Sequence, residues 1–269
     1  MILEPIKPEV LATRILPDAD PQLLARLPVK PNHRSLGLIT CTSDDALYTA
    51  LDEGTKAAEV EVVYAKSFYA GASHASGPFS GEVIGIFAAD EPDSVVTAPR
   101  ATARYLRDKA WFFAADDASR LAFFPHVIPS VGRYLAGLAS VEPGTPMAYL
   151  IAPPIEAMLG IDAALKAARV DLKLFYGPPS ETNFAGALLV GDVPSVEAAA
   201  AAFQATVLDL AARPVTLTPH PEVEELSESF GRKHTRPASS DVHPDGLPFH
   251  LHASGFGLAS KPDGFTHLF

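Results

Sequence analysis

The sequence predicts an α/β protein of the α+β kind: two tandem copies of one small unit, then an irregular C-terminal extension. Three observations predict it. A stretch ending a helix and entering a strand occurs twice, 110 positions apart. Each occurrence is flanked by short apolar runs of strand character, followed by a second helical stretch. After residue 214 the composition changes, with six Pro, five Gly and six of the nine His falling in residues 215–269. The expected domains are 1–118 for the first copy, 119–214 for the second and 215–269 for the extension.

The repeat is read from identities in place. Asp52, Lys56, Ala57, Ala58 and Val60 recur as Asp162, Lys166, Ala167, Ala168 and Val170. Upstream lie the apolar runs Leu36 to Thr40 and Met147 to Ile151, and downstream Val83 to Ala88 and Gly186 to Val190. The helix that follows aligns Ser94-Val95 with Ser195-Val196, a shift of 101, so the first copy carries nine extra residues between its last two strands. Further upstream, Pro8-Glu9-Val10 is matched to Pro129-Ser130-Val131, each opening a strand-like stretch. The expected order in each copy is strand, strand, helix, strand, loop, strand, helix, with the helices packed on a mainly antiparallel sheet. Ser43 is placed as an N-cap, with Asp44 and Asp45 in the first turn facing the positive end of the helix dipole. Pro153-Pro154 opens the matching helix of the second copy. Ser195 to Arg213 reads as an Ala-rich helix whose small residues at 198–202 let a neighbour approach closely.

Charge and cysteine usage narrow the function. With 32 acidic against 21 basic residues the net charge is −11, which argues against nucleic acid or an anionic membrane as partner. A single cysteine, Cys41, excludes an intramolecular disulfide framework and suggests a reducing compartment. No apolar run reaches membrane-helix length, and the first ten residues lack a signal peptide's apolar stretch, so a cytoplasmic location is expected.

Enzyme motifs for nucleophilic, zinc-dependent, phosphate-binding or dinucleotide-binding chemistry are absent. Cys41 follows an apolar strand, the setting of a buried inert thiol. The pairs Asp44-Asp45 and Asp116-Asp117 offer acid–base chemistry on paper, but adjacent helix positions do not face each other, which favours helix capping for both pairs. His250 and His252 alternate on one face of a strand-like stretch, without a cysteine or carboxylate at metal-site spacing. Neither a cofactor nor a metal is expected. The connector from Tyr64 to Gly81 is more telling, with three Gly for hinge freedom and Phe68, Tyr69 and Phe79 for bulk.

The repeated Asp52…Lys56-Ala57-Ala58 motif, together with Gly191-Asp192-Val193-Pro194-Ser195-Val196, resembles the shell proteins of bacterial microcompartments. The resemblance is closest to those of ethanolamine utilisation. It rests on Arg34 to Ile39, Ser43 to Asp45, Val60 to Tyr64, Tyr69 to Ala72, Met147 to Leu150, Ala152 to Pro154, Gly160 to Lys166 and Pro178 to Asn183. It spans about residues 5–214 and leaves out the extension. It implies two tandem, circularly permuted shell domains, with three chains forming a pseudohexameric tile around a pore, in company with other shell proteins. It implies gating loops holding Ser67, Phe68, Tyr69, Gly71, His74 and Phe79 in one copy and Ser180, Glu181, Thr182, Asn183 and Phe184 in the other. It implies tile-edge contacts at Lys56 and Lys166, and small pores at Asp44, Asp45, Glu82 and Trp111. These would take a small polar metabolite, an ethanolamine-like amine or aldehyde, or cobalamin. Two rival readings stand beside this one: a soluble ligand-sensing α/β module using the same acidic pocket, and a lyase built on Asp44 and Glu82.

Overall fold

The computed structural model describes residues 3–67, 83–115, 121–178, 180 and 184–213, all within the compact unit Met1–Thr216. Its elements run β1 (Pro5–Ile6), β2 (Val10–Leu16), α1 (Pro21–Leu24), β3 (Ser35–Cys41), α2 (Asp44–Ala57), β4 (Glu61–Ser67), β5 (Val83–Ala89) and α3 (Pro92–Asp108). They continue with β6 (Phe112–Ala114), β7 (Ala122–Ile128), α4 (Arg133–Ala139), β8 (Met147–Ala152), α5 (Pro154–Ala167), β9 (Asp171–Tyr176), β10 (Ala185–Val190) and α6 (Val193–Ala212). The second half thus repeats the first, including a short helix between the first two strands of each copy that the expected order lacked.

Both copies form the same antiparallel four-stranded sheet, ordered β2-β3-β5-β4 in the first and β7-β8-β10-β9 in the second. The inner strands β8 and β10 are buried along their whole length, as central strands covered on both faces must be. The second sheet is six-stranded because β6 pairs with β7, and β1 pairs with β6 through Ile6↔Phe112. The chain's first strand therefore crosses into the sheet of the second copy, although the expected domain limits put it with the first.

One sequence match misled. Pro8 to Val10 leads into β2, whereas Pro129 to Val131 follows the end of β7. The true counterpart of Val10–Leu16 is Ala122–Ile128, seven residues each. The Pro-x-Val identity is a coincidence of composition at opposite ends of equivalent strands.

Packing divides by face. On the helical side of the second sheet, Phe123, Leu150, Ala187 and Leu189 bury against Ile161, Ala199 and Phe203. Gly160 permits this, since a Cβ there would lie 2.6 Å from the Phe203 ring. On the other side Phe124, Met147, Tyr149 and Ile151 share one core with Leu47 and Leu51 of α2 and Leu135 of α4. The two copies are thus joined by apolar burial rather than by a linker. In the first copy, α3 contains Pro99, which has no N–H to offer Val95 O. That carbonyl points at β3, where a Cβ on Gly37 would meet it at 2.6 Å, so glycine lets strand and helix close.

Candidate functional site

The N-terminus of α2 ends against the second copy, and this places two adjacent carboxylates inside the protein. Asp44 and Asp45 are each 7% exposed. Ser43 takes the N-cap position with extended backbone, but its side chain makes no capping bond; the Asp45 N–H instead donates to Asp44 Oδ1 at 2.8 Å. Expected as first-turn partners of the helix dipole, both acids are also buried. Tyr149 of β8 donates its hydroxyl to Asp45 Oδ1 at 2.8 Å, across 104 positions of chain. Ser67 donates to Asp44 Oδ2 at 3.1 Å and accepts from the Tyr48 hydroxyl at 3.0 Å.

Among the described residues no cation pairs with either acid. Burial pushes both carboxyls above their ordinary range, and the neighbouring Asp44 charge pushes Asp45 further, well above it; only the Tyr149 hydroxyl works against this at Asp45. Two adjacent carboxyl groups buried without a cation favour the bound proton. The sign of the pH effect follows. Above the usual carboxylate pKa the folded protein still holds a proton that the unfolded chain has released, so stability falls as pH rises through the raised values. Asp45→Asn removes the penalty: its melting temperature is expected to fall less than the unsubstituted protein's as pH rises above the ordinary carboxylate range. An unchanged slope would place the raised carboxyl elsewhere.

Asp44 also faces a recess of about 280 Å³ between the copies, lined by Lys7, Ser43, Phe112, Ala122 and Phe184 among others. Its walls come from β1, the β3–α2 turn, β6, β7 and the start of β10, so it exists only because the first strand crosses over. Neighbouring Cys41 is buried, gives its thiol hydrogen to Ser43 O at 3.0 Å and has its pKa raised by burial to about 11, the state of an unreactive thiol.

The expected site residues sort differently from their sequence grouping. Ser67 closes β4, and its hydroxyl is engaged by the acid pair. Phe184 lines the recess and meets Phe112 edge-on at 6.0 Å, while Ser180 donates its N–H to Phe184 O at 2.7 Å. Trp111 is not among the residues that line the recess. Its indole N–H donates to Leu106 O and Arg107 O, and the Lys7 ammonium sits 4.2 Å from its ring centroid. Glu82, Phe68, Tyr69, Gly71, His74, Phe79, Glu181, Thr182 and Asn183 lie outside the described residues, as do Asp116, Asp117, His250 and His252. Among the described residues no three His, Cys, Asp or Glu converge on a metal position.

Lys56 and Lys166, equivalent in sequence, differ in setting. Lys56 donates to Ser130 O of the second copy at 3.0 Å and pairs with Glu53. Lys166 is 74% exposed and reaches only Asp162, one helical turn back. Asp52 was seen only as part of the repeat, but it is a joint: its carboxylate accepts from Gly132 N at 2.6 Å and Leu135 N at 2.9 Å, capping α4 of the other copy. Thr55 Oγ1 accepts from Arg133 N at 3.0 Å beside it. Tyr149 and Lys7 were likewise missed. Nothing local marks a residue whose partner is about a hundred positions away.

Comparison with known proteins adds the lineage. The bacterial microcompartment (BMC) domain model matches residues 35–109, from β3 through α3. The bacterial microcompartment shell protein EutL of Clostridium perfringens is 45% identical over 210 residues, covering 78% of this chain and 97% of the relative. The crystal structure of ethanolamine utilization protein EutL from Leptotrichia buccalis superposes with a TM-score of 0.78 at 44% identity, over 81% of this chain and all of that one. A trimeric bacterial microcompartment shell protein, PduB, shares the fold at 19% identity and a TM-score of 0.62, over 76% of this chain and 89% of that one.

Proposed function

The chain belongs to the EutL family of bacterial microcompartment shell proteins, a structural rather than catalytic lineage, and on that premise we propose that three chains close head to tail into a pseudohexameric tile. As a shell protein it assembles with other shell proteins in the wall of a microcompartment. The observation that carries the ring is the placement of its exposed apolar side chains.

Helices α2 and α5 are both 14 residues long and match position for position. Within the chain, α2 packs on α4 and on the second sheet, burying Asp45, Thr49 and Thr55. The equivalents on α5 are Ile155, Leu159 and Leu165, exposed at 67%, 40% and 36%. The receiving surface shows the same mismatch. Ile128 and Leu135 are buried in the junction, while their counterparts Leu16 and Leu23 are 38% and 45% exposed. One chain therefore carries the donor face of a second junction on α5 and its acceptor face on β2 and α1. Two different faces of one molecule make a head-to-tail contact, which ends in a ring when the rotation closes. Two copies per chain and three chains give six units around the axis, and the trimeric PduB has the same fold.

The connectors between β4 and β5 and between β9 and β10 occupy equivalent places in the two copies, so in the ring they alternate around the axis and gate an opening for small polar molecules. The recess at Asp44 is a separate subunit-level site for a small primary amine such as ethanolamine, since a buried acid pair without a cation suits an ammonium group. Light scattering tests the ring: a mass near 85 kDa, three times 28.5 kDa, is expected, with flat sheets by electron microscopy at high concentration. A stable monomer with no lateral assembly overturns it.

A further inference from the structure

Lys7 is the cation that lines the Asp44 recess from the chain itself. Its backbone is held at the rim, because the preceding residue Ile6 is paired with Phe112 across β1 and β6. Its ammonium lies above the indole of Trp111, whose Nε1 donates to two carbonyls in the last turn of the preceding helix α3. The indole face therefore holds the lysine head, and the carboxylates of Asp44 and Asp45 are left with hydroxyl and amide donors alone among the described residues. A four-carbon stem anchored at the rim of the recess can turn its head from the ring face to Asp44 without moving the backbone.

We propose that Lys7 is a built-in competitor for the amine site: it shuttles between the Trp111 face and the Asp44 recess, and an incoming ammonium binds only by keeping it on the indole. The proposal rests on the amine reading of the recess given above. Lys7 then sets the affinity and favours ligands that neutralise the acid pair better than a tethered lysine does. A compact primary amine, able to reach the Asp44 carboxyl group and give three N–H donors, meets that demand, whereas a bulky or quaternary amine does not. Trp111, one of the small-pore residues the resemblance implies, serves in this proposal as the resting place of the lysine head.

Calorimetric titration of the full-length protein with ethanolamine hydrochloride tests this, using Lys7→Gln and Lys7→Arg. Both substitutions keep a long side chain at the rim, and only the first removes the charge. Lys7→Gln is expected to bind ethanolamine about tenfold more tightly than the unsubstituted protein, and Lys7→Arg within a few-fold of it. Trp111 is the chain's single tryptophan, so its emission reports the contact directly, and it is expected to change in Lys7→Gln before any ligand is added. Equal affinity of Lys7→Gln and the unsubstituted protein would overturn the competitor role and leave the amine site standing. No binding to any of the three proteins would overturn the amine reading and the proposal with it.

Discussion

Ile155→Asp with Leu165→Asp is expected to leave the fold of the chain intact and to dissolve the ring into 28.5 kDa monomers by light scattering. Both side chains face outward from α5, so neither substitution touches the core of the isolated chain. In the proposed junction they take the places of Asp45 and Thr55, which pack on the neighbouring unit within the chain. Burying an aliphatic side chain of this size stabilises by about 1.5–3 kcal/mol. A carboxylate enclosed there without a partner adds a further cost of at least a few kcal/mol. The loss is therefore on the order of 5 kcal/mol per contact, a weakening of about four thousandfold. Circular dichroism separates this result from unfolding. A mass that stays near three chains would place the junction on another face.

The second large effect concerns the stability of the chain itself. Asp52→Ala is expected to cost about 3 kcal/mol in chemical denaturation, with a clear fall in melting temperature. Its carboxylate accepts two backbone N–H groups at the start of α4, and charge-assisted bonds of this kind contribute roughly 1.5–3 kcal/mol each, partly offset by the desolvation of the acid. Removing it leaves Gly132 N and Leu135 N as donors without a protein partner in a buried setting. Asp52→Asn keeps one acceptor oxygen and should lose about half as much. Asp162, its equivalent in the repeat, is 61% exposed and paired only with Lys166, so Asp162→Ala should leave the stability of the monomer nearly unchanged. A similar loss in both variants would mean that the motif acts within its own helix rather than across the junction.

That contrast separates what a local pattern encodes from what a distant contact decides. The recurrence of Asp52 to Val60 at Asp162 to Val170 established two copies, and the apolar runs around it located β3, β5, β8 and β10 to within a residue or two. The acid pair was also visible as a pair. Its character was not, because a carboxylate at a helix start looks the same whether it meets water or Tyr149. The resemblance places Ser67 and Phe184 in gating loops; that the Ser67 hydroxyl meets Asp44 and the Phe184 ring lines the recess beside it is visible only in the structure. Trp111 was grouped with the acids by resemblance, while its ring is engaged by Lys7 from the other end of the chain.

The sequence by itself determined the unit, its duplication and the order of strands and helices, since these rest on periodicity and on turn and cap residues acting over a few positions. Tertiary structure alone decided that β1 crosses to the second sheet, that α2 is capped into α4 by Asp52, and that two neighbouring aspartates lie buried under a tyrosine. Those outcomes depend on contacts between residues some eighty to a hundred positions apart, for which the local pattern carries no signal. They also break the symmetry of the repeat: one junction is closed within the chain, and the equivalent side chains Leu16, Leu23, Ile155 and Leu165 face outward.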